Sequence, residues 1–509
     1  MEKNVKVEML PPQCFDGAGE YVLPDYQGDV KRILSQDAVF TPAGKFINDG
    51  DLEISGTVNF RVLYLDTDGK PTAASFPLDF EATVSQKTEN MQDAFPELVL
   101  TGYQIRSVGP RKLSAKYTVC LIGTKQIGMV PTGVEGLFES ENTEVLKKPI
   151  SERTIRHGTS DEREFAEEMT RLEEIDPESV EVLQASGSVV VEESQAEEDG
   201  IRVRGRLILS AVISTPDQPP FVIVREVPFE EVIPIEDGLP DAQTTARGVL
   251  TSVTANAGAG ENGDCLITVD AIAEFSGEEN GNLTHDVPVD AYTVDFPSDV
   301  QTIDYAYEEF SGCVACPLTL KVSETPKDEE RTDLRQIVSA TSAVRIKSQT
   351  PTADGVKLTG EVTVCAVGSV IEGDALRLAS RKFGAEFEQT LKMPLRAEEK
   401  TKLQLALTPV NTSVMIDGDL LTANVLCSLS VTAVTPKTVS VFAGITRRET
   451  EGKEPPVLRV VFPEKEDTLW SLGKKYRKPI AALAEQNGLT VPASAGADTP
   501  LGDRPIYIY

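Results

Sequence analysis

A mainly β chain is predicted, with three β-rich segments followed by a small βααβ unit, and three observations predict it. Three eleven-residue segments alternate strictly between apolar and polar residues around a central glycine. Each is followed by a second alternating segment. Near the C-terminus the period changes from two to that of a helix.

The first alternating segment runs from Leu52 to Val62, with Leu52, Ile54, Val58, Phe60 and Val62 on one face and Gly56 at the middle apolar position. Ile201 to Ala211 repeats this around Gly205, and Val356 to Ala366 repeats it around Gly360. Period two over eleven positions describes a long strand with one buried face. The glycine stands where a side chain would pack, which predicts a bend, a bulge or close approach of another backbone. Landmarks outside the strands keep register: Leu34, Leu183 and Val338 each lie twenty-two positions before their glycine. Phe80 and Phe229 follow by twenty-four positions, and Phe387 by twenty-seven, as if one hairpin were three residues longer. Leu113 to Cys120, Cys265 to Ile272 and Leu420 to Cys427 are the second strands. The expected division is an N-terminal tail over 1–20, repeats over 21–150, 151–323 and 324–448, a linker over 449–456 and a last domain over 457–509. Within the second repeat, Phe165, Met169 and Leu172 behind Ser160 predict a short surface helix over 160–174.

At 509 residues the chain is long enough for several cores. Acids outnumber bases 81 to 49, a net charge of −32 that disfavours nucleic acid and anionic lipid. Met1 to Glu8 lacks the apolar run of a secretory signal, and no stretch reaches the roughly 18 apolar residues of a membrane span, so a cytoplasmic protein is expected. Seven cysteines form an odd, sparse set for which reduced thiols are expected. Gly258 to Gly263 spells GxGxxG, but a strand follows it instead of a helix, so a hairpin loop is expected there. Cys313 and Cys316 form a CxxC without a second ligand pair, and His157 and His285 stand alone. Neither a zinc site nor a nucleophile triad has its parts. No catalytic residue, metal or cofactor is therefore assigned.

After the charged, proline-ended stretch Glu449 to Pro456, Leu458 to Phe462 reads as a strand. Asp467 reads as the cap of a helix carrying Leu469, Leu472 and Tyr476 on one face. Ile480 to Gln486 is a second helix stopped by Asn487 and Gly488, and Ile506 to Tyr509 a closing strand. Residues 457–509 hold seven bases and six acids, a charge of +1, which leaves −33 for the rest. Lys474, Lys475, Arg477 and Lys478 form a basic patch suited to an acidic partner. Trp470 reads either as a core anchor or as part of a binding surface.

Asp467 to Tyr476, with Leu483 and Asn487, resembles the run of a LysM module, departing from it at Glu466 and over 490–503. The stretch Gly50 to Tyr64 resembles the SPOCS repeats of spore-forming Clostridia. Three such repeats before a terminal LysM module resemble the SipL-like family of spore-coat morphogenetic proteins. The resemblance implies a non-catalytic coat-assembly scaffold of the mother cell, gathered at the forespore surface through LysM binding to the SpoIVA coat-basement ATPase, with other coat proteins as further partners. It places partner binding at Asp467, Thr468, Leu469, Trp470, Lys474, Lys475, Asn487 and Leu489. The alternative it carries is binding of N-acetylglucosamine chains of peptidoglycan.

Overall fold

A computed structural model describes residues 5–85, 91–128, 142–216, 218–260, 264–323, 334–352, 355–372, 375–393, 398, 400–418, 420–448, 458–489, 501 and 504–509. It is mainly β, and its antiparallel sheets fall into three pairs apart from a two-stranded one near the C-terminus. In the first, β1 (Val5–Met9), β2 (Gln13–Val22), β3 (Val30–Asn48), β4 (Asp51–Asp66), β5 (Pro71–Val84), β6 (Met91–Gly109) and β7 (Lys112–Gly128) make a β3-β4-β5 sheet and a sheet in which β7 pairs with β1, β2 and β6. In the second, β8 (Thr143–Thr159), β9 (Arg163–Leu172), β10 (Glu181–Glu197), β11 (Gly200–Thr215), β12 (Gln218–Pro234), β13 (Gln243–Ala259) and β14 (Cys265–Thr293) follow the same scheme. In the third, β15 (Ser298–Ser323) lies along β20 (Leu420–Arg447) where two shorter strands serve in the other pairs. Its remaining strands are β16 (Gln336–Thr352), β17 (Gly355–Glu372), β18 (Ala375–Lys392) and β19 (Lys402–Asp417).

Within each pair the strand that opens the segment is held by the strand that closes it, a pairing of distant residues that local alternation does not reveal. The stretch 1–20 was expected as a tail, yet Val5–Met9 and Gln13–Val22 are strands on β7. Residues 298–323, expected to end the second segment, instead pair with β20. Likewise β8, which begins at Thr143 ahead of the expected boundary, pairs with β14. The linker residues 449–456 lie outside the described residues.

The predicted alternation becomes the core. Leu52, Ile54, Val58, Phe60 and Val62 on β4 are buried between the two sheets of the first pair, as are their counterparts on β11 and β17. Burying such a side chain contributes about 1.5–3 kcal/mol relative to exposure. The central glycines face Phe80, Phe229 and Phe387 directly across the ladder. On their other side the preceding strand bulges opposite each glycine, at Pro42/Gly44, Val191/Glu193 and Ile346/Ser348. A Cβ on these glycines would run into the carbonyl oxygens of Thr41, Val190 and Arg345, so close backbone approach makes the glycine necessary.

A second bulge in the same strands falls at Leu34, Leu183 and Val338. Bulges re-aim side chains, and these three leave the cores of their own pairs to form one central cluster with Leu63, Val212, Val367 and Leu378. The sequence landmarks before each glycine are thus the residues that join the three pairs.

Three further expectations are corrected. The segment expected as a surface helix over 160–174 is strand β9, paired with β14, with Phe165 and Met169 buried. Residues four apart share a face in a strand as well as in a helix, and the apolar edge of β14 takes them as a strand. Cys14 and Cys120, expected as reduced thiols, stand opposite each other on β2 and β7 and are joined as a disulfide. The cap of the first C-terminal helix is Thr468 in place of Asp467. Of the GxGxxG stretch, residues 261–263 lie outside the described residues; the strands on either side pair antiparallel from Ala259 and Cys265, as in a hairpin.

The C-terminal unit consists of β21 (Arg459–Val461), α1 (Leu469–Tyr476), α2 (Ile480–Gln486) and β22 (Ile506–Ile508), with β21 antiparallel to β22. Leu469, Leu472, Leu483, Ala484, Ile506 and Ile508 form its own core. Among the described residues no helix is long and apolar enough to cross a membrane.

Candidate functional site: the outer face of the first C-terminal helix

Helix α1 begins with a capping box. Thr468 Oγ1 accepts from the Ser471 amide at 3.0 Å, and Ser471 Oγ accepts from the Thr468 amide at 3.0 Å. The Asp467 carboxylate accepts from the Glu464 amide at 2.9 Å and from the Ser471 hydroxyl at 3.3 Å, holding the approach to the helix. Asn487 is buried at the end of α2, where its amide donates to the carbonyls of Leu483 and Tyr507 and its Oδ1 accepts from the Tyr507 amide at 2.7 Å. It ties α2 to β22.

The eight residues expected to bind a partner therefore separate. Thr468 caps the helix and Asp467 braces its approach, while Leu469, Leu489 and Asn487 hold the unit together. Lys475 lies 5.7 Å from the centre of the Tyr476 ring. Trp470 and Lys474, four residues apart on one helix face, point away from the unit's core and come together on the end of β14.

That contact is specific. Trp470 Nε1 donates to Asp290 Oδ2 at 2.8 Å, and Lys474 Nζ lies 2.6 and 2.7 Å from the two oxygens of the same carboxylate. Two residues along the strand, and so on the same face, the Tyr292 ring meets Trp470 edge-on with centroids 5.0 Å apart. Its hydroxyl donates to the Lys478 carbonyl at 2.7 Å. Burial holds that phenol well above its usual pKa, so it remains a donor. Gly473 provides the space, since a Cβ there would meet the Tyr292 hydroxyl. The Ile480 amide donates to the Glu144 carboxylate of β8 at 3.2 Å, which caps α2 where no side chain of the unit does so. Leu146, Tyr292, Trp470 and Ile480 close over these polar groups.

Trp470 was open to two readings, core or surface. It is buried, 5% exposed, but its cover comes from the second sheet pair, outside the unit's own core. Its bond to a carboxylate is of a kind worth about 1.5–3 kcal/mol, whereas the half-exposed Lys474–Asp290 pair adds about 1 kcal/mol or less. Sequence reading missed Asp290, Tyr292, Glu144 and Leu146. The signal available was the outer face of α1, where Trp470, Gly473 and Lys474 set an aromatic ring, a gap and a cation side by side.

Elsewhere, a cavity of about 1100 Å³ lies between the sheet pairs, where edge strands supply Thr41, Leu100, Ser186, Ser252, Thr341 and Thr412. Deeper in, the buried Arg153 donates to Asn280 Oδ1 at 3.0 Å and lies 3.8 Å from Glu308, which accepts from the Met9 amide. Burial lowers the Arg153 pKa and raises that of Glu308, and the group joins β1, β8, β14 and β15. Cys313 and Cys316 lie three apart on β15 as free thiols, so they face opposite sides. Burial pushes the Cys313 thiol up to about 12. His157 stacks on Phe95, and His285 lies 3.5 Å from Glu152. Among the described residues no three His, Cys, Asp or Glu side chains are grouped to hold a metal ion.

No protein-family model and no curated protein matches this chain. A solved structure, the V. cholerae Type IV competence pilus secretin PilQ, aligns at 12% identity over 69% of this chain and 78% of that one, with a TM-score of 0.09, at which the likeness carries no argument.

Proposed function

We propose that this chain is a non-catalytic scaffold for spore-coat assembly, in which three SPOCS-like repeats present binding surfaces and the C-terminal LysM-like unit tethers the protein to a SpoIVA-like coat-basement ATPase at the forespore. The observation that carries the reading is the run Asp467 to Tyr476 with Leu483 and Asn487 in a β-α-α-β unit with its own core. Three linked sheet pairs support the scaffold part, because several weak contacts on one chain raise effective concentration. The polar, carboxylate-binding outer face of α1 favours an acidic protein ligand over a neutral glycan.

The test compares the full chain with one ending at 456. Retention of the SpoIVA-like ATPase in pull-downs, and the ring of protein around the forespore, should be lost on truncation. Unchanged retention and localisation would move recruitment into the sheet pairs. Sedimentation of the full chain with purified peptidoglycan, abolished by the truncation, would replace the protein ligand with a glycan.

A further inference from the structure

The outer face of α1 already holds a ligand, and that ligand belongs to the same chain. Its recognition chemistry can be read directly: one carboxylate shared by an indole N–H and an ammonium group, then, two residues on, a phenol ring laid against the indole with its hydroxyl on a helix-end carbonyl. Each of these contacts is made by an extended strand, residues 289–293. The opposite face of the strand is engaged differently, with Ala291 packed on Phe442 of the third pair. The strand is thus fixed in the body of the protein, and only one face of it is offered to α1.

From this geometry we infer that the groove formed by Trp470, Gly473, Lys474 and the Lys478 carbonyl is a binding site for an extended acidic-aromatic strand, Asp-x-Tyr in type, and that Asp290 and Tyr292 occupy it as an internal stand-in which a partner strand of the same chemistry displaces. The inference rests on the reading of the C-terminal unit as the tether. It adds what that unit recognises, and it means that tethering and seating are mutually exclusive uses of one face. The contacts suit exchange. Those made by the strand are few, directional and polar at the centre, so a partner supplying the same carboxylate and ring replaces them, and only the Ile480–Glu144 bond and the Leu146 contact from β8 are given up. Meanwhile the unit keeps its own core of Leu469, Leu472, Leu483 and Ile506.

Trp470 is the only tryptophan in the chain, so its fluorescence reports the site alone. The experiment uses the full chain, its Asp290→Ala variant, and a synthetic peptide with the sequence of residues 287–297, beside a control peptide with alanine at both the Asp and Tyr positions. In the wild type, Trp470 should emit as a buried indole and resist acrylamide. Asp290→Ala should raise quenching at least about twofold, and the peptide should bring it back, binding the variant about tenfold or more tightly than the wild type because the internal competitor is removed. The control peptide should do neither. Tyr292→Phe, which loses one hydrogen bond and keeps the ring, should shift the peptide affinity in the same direction by less, and it serves if Asp290→Ala is misfolded by circular dichroism. A wild-type Trp470 as open to acrylamide as free tryptophan overturns the internal seat. A variant that opens but ignores the peptide, or binds both peptides alike, overturns the recognition chemistry. Neither result alters whether removing 457–509 abolishes tethering, so the two readings fail separately.

Discussion

At the centre of the molecule, Leu34, Leu183 and Val338 meet Leu63, Val212 and Val367. At the C-terminal seat, Asp290 and Tyr292 meet Trp470 and Lys474. The first contact is made by like positions of three segments, each delivered by a bulge, and it is wholly apolar. The second is made by one turn of helix and the end of one strand, and its middle is a carboxylate between two donors. Apolar burial has no directional partner to exchange and is lost only as area is exposed to water. A hydrogen-bonded carboxylate can be replaced by another carboxylate in the same place. The centre is therefore built to keep three sheet pairs together, and the seat is built to be given up.

The largest expected effect is on the cores that carry the centre. Gly205→Val places a branched side chain against the Val190 carbonyl, where backbone cannot yield. Overpacking of this kind costs about 1–3 kcal/mol, and calorimetry of the full chain should show the sheet-pair transition lowered. The fluorescence of Trp470 at low temperature should be unchanged, because the seat does not pass through this strand. A Gly205→Val chain that melts as the wild type would remove the steric reason for the glycine.

A smaller effect lies at the junction of the first two pairs. Burial, helped by Lys45 and Arg247 and opposed by Asp93, pushes the pKa of His157 down to about 4 from its ordinary 6.5. The folded state then holds fewer protons than the unfolded chain between those values, so the stability due to neutral His157 is fully present above about pH 6.5 and is lost as pH falls toward 4. Urea midpoints measured across this window should fall more steeply for the wild type than for His157→Gln. Parallel pH profiles would show that the ring is not held neutral.

Much of the fold was legible because strand burial writes a period of two into the chain, and Gly56, Gly205 and Gly360 mark the same strand in each segment. Phe80, Phe229 and Phe387 kept register because they lie across the ladder from those glycines. What was not legible depends on distant pairing. Phe165 and Met169 satisfy a helix and a strand equally, and only the open edge of β14 decides between them. The Cys14–Cys120 bridge needs the register of β2 on β7. Of the candidate site, Lys474 was legible as part of a basic patch and Trp470 only as either core or surface, whereas Asp290 and Tyr292 lie 180 or so positions away on a strand end that carries no motif of its own.

The most direct measurement is retention of the SpoIVA-like ATPase by the full-length Asp290→Ala variant beside the wild type, at equal protein concentration. If one face of α1 serves both the internal strand and the partner, freeing that face should strengthen retention, with Trp470→Ala abolishing it in either background. Retention that is weakened or unchanged by Asp290→Ala would mean that the partner binds elsewhere and that the seat of the C-terminal unit is permanent.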